Sequence, residues 1–185
     1  MAVKRIFQYL LFTPNLSLWY PKGSTFILLG YSNSDYANCR VELKSICGTC
    51  QFLGRSLVSW SWKKINSIAL STAEAKYVVA GACCAQLLWM RQTLRDFGCV
   101  QSKIPLLCDN EGAIKLADNP VNHSRTKHID IRHHFLRDHQ SKGDITVQHM
   151  RTEFQLADNF SKPLDESRYC ALRHDLNIID SRNVT

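Results

Sequence analysis

A mixed α/β sheet with helices packed on it is the fold class that the residue pattern predicts, from three observations. Three apolar, strand-like runs come before the first strand–helix alternation, as in an antiparallel meander. Strand and helix patterns then alternate, which favours parallel neighbours. A long helical period with a clear start and stop separates the two regions.

In chain order, Val3 to Phe12 reads as a short amphipathic helix ended by Thr13-Pro14, and Pro21-Lys22-Gly23 as a turn. Phe26 to Tyr31 is an apolar strand. Gly48 to Leu53 and Ser56 to Trp62 are two more, joined by a tight turn at Gly54-Arg55. Lys63 to Ser67 is a polar loop. Ser71 or Thr72 caps the long helix, with Glu74 in its first turn, where the macrodipole favours an acid. That helix runs to Phe97 and stops at Gly98. Ile104 to Cys108 is a buried strand ending on Asp109. Glu111 to Ala117 is a short helix stopped by Asn119-Pro120, and Asn122 to Lys127 a polar loop. Ile129 to Ser141 is helical, Gly143 turns into a strand at Ile145 to Met150, and Glu153 to Phe160 is a last helix closed by Pro163. The tail after Ser167 carries weak signals. Trp60, Trp62 and Trp89 are assigned to core or sheet packing rather than to base stacking.

A chain of 185 residues, 45% of them hydrophobic, suits one domain with a short appendage. Its net charge of +7 points to a polyanionic partner, nucleic acid first, with solubility as the plain alternative. The eight cysteines follow no secretory signal: Met1–Phe12 is interrupted by Gln8 and lacks a small-residue cleavage site. A reduced, intracellular chain (cytoplasm or nucleus) is expected, without disulfides. No apolar run approaches the roughly 18 residues that span a membrane. Cys47-Gly-Thr-Cys50 invites a structural zinc site, with Cys39 and a histidine as further ligands. On a strand, however, an offset of three puts the two thiols on opposite faces, and no second such pair exists.

Two acids stand where chemistry is often placed. Asp109 follows a buried strand directly, the position at which open α/β sheets build sites; capping the next helix is its ordinary role. Asp158 lies in Leu156-Ala157-Asp158, where an exposed helix charge is the ordinary reading. Together they suggest a shared carboxylate site for two Mg²⁺ ions, able to clamp the attacking and leaving oxygens of a phosphodiester.

The segments "AVKRIFQYLLFTPNLSLWYPKG", "GYSNSDYANC", "LVSWSWKK", "ALSTAEAKYVVAG", "LLCDNEGAIKLADNPVNHSRTKHIDIRHHFLRDH" and "FQLADNFSKPL" make the chain recognisable. In this order they resemble the RNase H domain of copia-type (Ty1/copia) retrotransposon polyproteins. The resemblance implies a ribonuclease H-like fold: a five-stranded mixed sheet, three strands antiparallel, with helices on its faces. It makes residues 1–22 similar to the tail of a preceding reverse transcriptase, 23–164 the RNase H-like domain and 165–185 a C-terminal tail. It also implies cleavage of the RNA strand of an RNA–DNA hybrid with Mg²⁺ or Mn²⁺, alongside the polyprotein's reverse transcriptase.

Four acids hold those metals in the family. The third and fourth match Asp109 and Asp158. The first falls on Asn33 and the second on Lys76, so two acids are lost. Asp35 is a possible substitute: an offset of two on a strand keeps the face, displaced by about 6–7 Å. On a helical wheel Lys76, Ala80, Cys83, Leu87, Met90 and Leu94 share the inward stripe, whereas Glu74 lies about 200° from Lys76 and looks outward. The two replacements shift the site by three charge units against cation binding. A carboxylate about 4 Å from a dication gains roughly 8 kcal/mol of gross Coulomb energy at an effective dielectric near 20, and a lysine reverses that sign. Lys76 is expected to pair with Asp109 or Asp158 instead.

Other departures accompany these. The basic, hydroxyl-rich stretch usual after the first strand reads "VELKSICG", keeping Lys44, Ser45 and Gly48, and Asn38 stands where glycine is usual. Arg125, Lys127, His128, Arg132 and His133, with Lys44, are the candidate phosphate contacts; a solvated helix face is their ordinary reading. The expectation is a ribonuclease H-like domain whose catalysis has degenerated. The alternatives are an active enzyme with Asp35 substituting, and a non-catalytic nucleic-acid-binding module.

Overall fold

The computed structural model describes residues 2–36, 45–65, 69–118 and 134–183. Helix α1 (Ala2–Phe12) and the short strand β1 (Leu16–Leu18) lead into β2 (Leu28–Asp35), β3 (Ile46–Leu53) and β4 (Ser56–Lys64). The long helix α2 (Thr72–Asp96) follows, then β5 (Ile104–Cys108), α3 (Glu111–Asp118), α4 (Phe135–Ser141) and β6 (Ile145–His149). A 3-10 turn (Thr152–Phe154), α5 (Asp158–Ser161), α6 (Glu166–Asp175) and β7 (Ile178–Asp180) complete the chain.

Five strands form one sheet in the order β4-β3-β2-β5-β6. The β2–β3 and β3–β4 ladders are antiparallel, and β5 lies parallel to both β2 and β6. The predicted meander and the parallel half therefore meet at β2, the central strand. Gly54 turns the β3–β4 hairpin at φ 60°, the left-handed conformation that a two-residue hairpin loop demands and glycine adopts freely.

Each face of the sheet has its own core. On one, Leu28, Ala80, Cys83, Leu87, Ile104, Leu106 and Ile145 pack beneath α2, α3 and α4. On the other, Cys50, Phe52, Leu57, Leu156, Ala157, Leu172 and Leu176 pack beneath α5 and α6. Ser71 caps α2, its Oγ accepting the Glu74 N–H at 3.2 Å, and the Glu74 carboxylate reaches back to the Leu70 N–H at 2.8 Å. This reciprocal arrangement is a variant of the capping box, and it gives Glu74 its work at the helix entrance.

Several expectations need correction. The first strand of the meander starts at Leu28 rather than Phe26 and continues to Asp35, because β3 offers pairing partners as far as Ile46. Glu153 to Phe160 is not one helix: Gln155, fully buried, interrupts it with extended backbone. Its side chain donates to the Ser32 carbonyl at 3.2 Å and accepts from the Ala157 N–H at 3.2 Å. The weak tail holds α6, whose N-cap Asp165 accepts from the Arg168 N–H, and β7, which pairs antiparallel with β1. Trp60, Trp62 and Trp89 are 51%, 58% and 64% exposed, not packed in a core. The helix predicted from Ile129 is described only from Phe135 onward. No helix among the described residues is long and apolar enough to cross a membrane.

Candidate active site

The cleft opens where β2 and β5, parallel neighbours, deliver their carboxyl ends beside the entrance of α2. Asn33, Ser34, Asp35, Tyr36, Thr72, Lys76, Asp109, Thr152 and Lys162 line a hollow of about 450 Å³ there. Asp109 follows the last residue of β5, Lys76 lies in the second turn of α2, and Asn33 sits on β2. Asp158 is the first residue of α5, brought onto the sheet by a close approach to β3. Gly48 is what permits that approach, since a Cβ there would meet the Ala157 carbonyl oxygen at 2.6 Å and the Phe160 Cβ at 2.9 Å. Gly48 pairs with Asn33 in the ladder, so α5 settles over both.

The side chains form two closed pairs. Lys76 Nζ lies 2.5 Å from Asp109 Oδ1, and both side chains are largely buried, 12% and 3% exposed. The other oxygen, Asp109 Oδ2, accepts from the Thr152 hydroxyl at 3.1 Å. Asn33 Nδ2 donates to Asp158 Oδ1 at 2.6 Å and to the Ser161 hydroxyl at 2.8 Å. Asp158 Oδ2 faces Lys162 Nζ at 3.0 Å and an Arg168 nitrogen at 3.6 Å. Every oxygen of the two carboxylates therefore already faces a protein donor. The Asn33 Oδ1 and the Ser34 Oγ are buried with no hydrogen-bond partner.

A pair of divalent ions does not fit this donor set. Mg²⁺ is bound through oxygen lone pairs, and neither an ammonium nor an N–H pointing at the ion can supply one. Here an ammonium, an amide N–H and a second ammonium occupy the directions from which cations would approach. Asp35 lines the same hollow. Glu74 serves the helix cap, and Lys76 takes the inward place.

The sequence pattern does not single out Lys162, Arg168 or Thr152. Lys162 is findable in it, since "DNFSK" sets it four residues after Asp158, one helical turn away. Arg168 is not, because it depends on α6 folding back: its guanidinium also donates to the carbonyls of Thr152 and Glu153. Arg125, Lys127, His128, Arg132, His133 and Lys44 lie outside the described residues, as do Asn38 and Cys39. Cys47 and Cys50 point into opposite cores, as their spacing requires, so the two thiols cannot share one zinc ion, and burial raises both thiols above the ordinary range. No cluster of three metal-ligating side chains occurs among the described residues.

Comparison with known proteins adds relatives. No family model matches the chain. It is 38% identical over 169 residues to the retrovirus-related Pol polyprotein from transposon RE1 of Arabidopsis thaliana, an alignment covering 91% of this chain and 12% of that protein. It is 36% identical over 179 residues to the corresponding polyprotein from transposon RE2 of the same plant, covering 96% of this chain and 12% of the relative. The chain thus spans about an eighth of the length of these relatives. Among solved structures, the N-terminal RNase H domain of Rv2228c from Mycobacterium tuberculosis, solved as a maltose-binding-protein fusion, superposes with a TM-score of 0.51 at 9% identity. That alignment covers 81% of this chain and 98% of the other, and it speaks for the fold.

Proposed function

Because this chain is an RNase H-like domain of the copia-type retrotransposon Pol polyprotein family, we propose that it keeps the family fold and has lost two-metal hydrolysis of RNA–DNA hybrids. The observation that carries this reading is the 2.5 Å contact between Lys76 Nζ and Asp109 Oδ1. A buried ammonium stands against one of the two remaining acids, and the other acid is held by Asn33, Lys162 and Arg168. Two-metal hydrolysis needs carboxylates free to bridge cations to the scissile phosphate.

What remains in this reading is binding. The net charge of +7 favours a polyanion, and the proposed contacts are Lys44, Arg125, Lys127, His128, Arg132 and His133. The proposed partners are an RNA–DNA hybrid or another nucleic acid and, in an intact element, the reverse transcriptase of the same polyprotein.

The test is a labelled RNA–DNA hybrid incubated with Mg²⁺ or Mn²⁺ and either the unmodified chain or its Asn33→Asp/Lys76→Glu double variant. No cleavage by the unmodified chain, with cleavage by the double variant, supports the reading and the assignment of the positions. Cleavage by the unmodified chain refutes it. If Asp35→Asn then abolished that cleavage, Asp35 would be the substituting ligand.

A further inference from the structure

The exposed tryptophans of β4 stand in register with the cleft. In the β3–β4 ladder Trp60 pairs with Cys50 and Trp62 with Gly48. In the β2–β3 ladder Cys50 pairs with Tyr31 and Gly48 with Asn33. Residues opposite one another in a sheet project to the same face. Trp62 therefore shares a face and a cross-strand row with Asn33, two strand spacings or about 10 Å away. On the same face Trp60 lies in the next row to one side of Trp62, and Lys64, with Ile46 and Asp35, in the next row to the other side.

The face is continuous with the site. Trp62 lines a hollow of about 470 Å³ with Ile46, Asn159, Phe160, Lys162 and Pro163. Lys162 lines the cleft as well, so the same cation edges both. Among the described residues no strand pairs with the outer edge of β4. Two indoles on one face, about 7 Å apart along a strand, are large apolar groups that a sheet ordinarily buries.

Adjacent aromatic faces beside cations hold single-stranded nucleic acid without reading its sequence, because every base has a π-face. A duplex hides those faces in its own stack. The net charge of +7 and Lys162 at the junction complement a phosphate backbone. We propose that Trp60 and Trp62 form a stacking platform for unpaired bases of a single strand that leaves the cleft past Lys162. The proposal rests on the reading of the chain as a nucleic-acid-binding domain and is independent of whether the cleft hydrolyses anything.

The test uses the full chain and a fluorescein-labelled 20-nucleotide oligothymidylate, read by anisotropy across a salt series. Trp60→Ala and Trp62→Ala should each weaken binding about tenfold, leaving the slope of log K against log salt unchanged. Phenylalanine at both positions should restore most of the loss, and circular dichroism should show every variant folded. A 20-base-pair RNA–DNA hybrid should lose far less affinity than the single strand. Unchanged oligothymidylate affinity in the alanine variants overturns the platform while leaving the binding reading intact. Absence of binding by the unmodified chain at every salt concentration overturns both. Equal losses for hybrid and single strand overturn stacking as the cause. An alanine pair that only turns a dimer into a monomer in light scattering, at unchanged affinity, makes the face a protein interface and overturns the proposal.

Discussion

Lys76 Nζ contacts Asp109 Oδ1 at 2.5 Å, tying the second turn of α2 to the end of β5 with little solvent on either side. A buried pair of this kind is strongly felt when half of it is removed, because the remaining charge is stranded. Lys76→Met should lower unfolding stability by about 3–5 kcal/mol, measured by urea denaturation at pH 7. Lys76→Met/Asp109→Leu should recover much of that loss, since an apolar pair avoids desolvating two charges. Additive losses in this cycle would mean that the two groups are not coupled.

Restoring the acids should exchange protein donors for a cation requirement. In the Asn33→Asp/Lys76→Glu variant, the carboxylate introduced at position 33 would crowd Asp158, and the one at position 76 would crowd Asp109, where the present contacts lie. Like charges at that range are unfavourable until a cation intervenes. The double variant should melt below the unmodified chain in EDTA and gain stability with Mg²⁺, about 2.7 kcal/mol at a hundredfold excess over Kd. The unmodified chain should show no Mg²⁺-dependent shift by differential scanning fluorimetry. Millimolar, saturable Mg²⁺ or Mn²⁺ stabilisation of the unmodified chain would contradict the closed pairs.

The sheet and the long helix are legible in the sequence because their signals are local. Alternation, the Gly54 turn, the Ser71 cap and the Gly98 stop each lie within a few residues of what they shape. The inward stripe of α2 is legible for the same reason, and it separates Lys76 from Glu74 on the helical wheel alone. The break at Gln155 is not legible, because its cause is the Ser32 carbonyl, 123 residues away in sequence. Nor is the support of Asp158 by Arg168, which needs α6 to return over the sheet. The exposure of Trp60 and Trp62 escapes a sequence reading because apolar residues on a strand suggest burial, while among the described residues β4 is an edge whose outward row no helix covers as fully as α5 covers Gly48.

Gly48 should be intolerant of even one methyl group. Its ideal Cβ position is 2.6 Å from a backbone oxygen, so relief requires moving α5 rather than rotating a side chain. Gly48→Ala should cost about 1–3 kcal/mol, the range for overpacking a tight contact. Moving α5 would also loosen the Asn33–Asp158 hydrogen bond. The Asn33 side-chain amide resonances should therefore shift in a ¹⁵N correlation spectrum, while the backbone amides of α3 and α4 hold still. A neutral substitution with an unchanged spectrum would show that α5 does not rest on β3 as described.

Asp144 ties α2 and α4 together at the start of β6. Its Oδ2 is 2.7 Å from His139 Nδ1 and its Oδ1 2.8 Å from an Arg91 nitrogen. The hydrogen bond from His139, then that from Arg91, lowers the carboxyl below its ordinary value of 3.8. A carboxyl that is more acidic folded than unfolded stabilises the fold above its unfolded pKa, and that contribution fades as pH falls through the folded value. Urea stability between about pH 2 and 5 should fall less steeply in Asp144→Asn than in the unmodified chain. Parallel acid slopes would remove Asp144 from the account.

Glu74 is the acid that the eye finds first in "LSTAEAKY", and the geometry gives it a different task from metal binding. Its carboxylate accepts the Leu70 N–H at 2.8 Å, and its own N–H donates to Ser71 Oγ at 3.2 Å. Both bonds satisfy backbone donors at the entrance of α2 that would otherwise face only water. Glu74→Gln keeps an acceptor at the same reach and should cost under about 1 kcal/mol, whereas Ser71→Ala should cost about 1 kcal/mol. The decisive comparison builds on the Asn33→Asp/Lys76→Glu variant. Adding Glu74→Gln to it should leave both Mg²⁺ stabilisation and any hybrid cleavage unchanged, because position 74 lies about 200° around the helix from position 76. Asn33→Asp/Lys76→Gln, which places a neutral amide at position 76 instead of the acid, should show neither. If Glu74→Gln were the change that lost the Mg²⁺ response, the helix register would be wrong, and Lys76 would no longer mark the place of the missing acid.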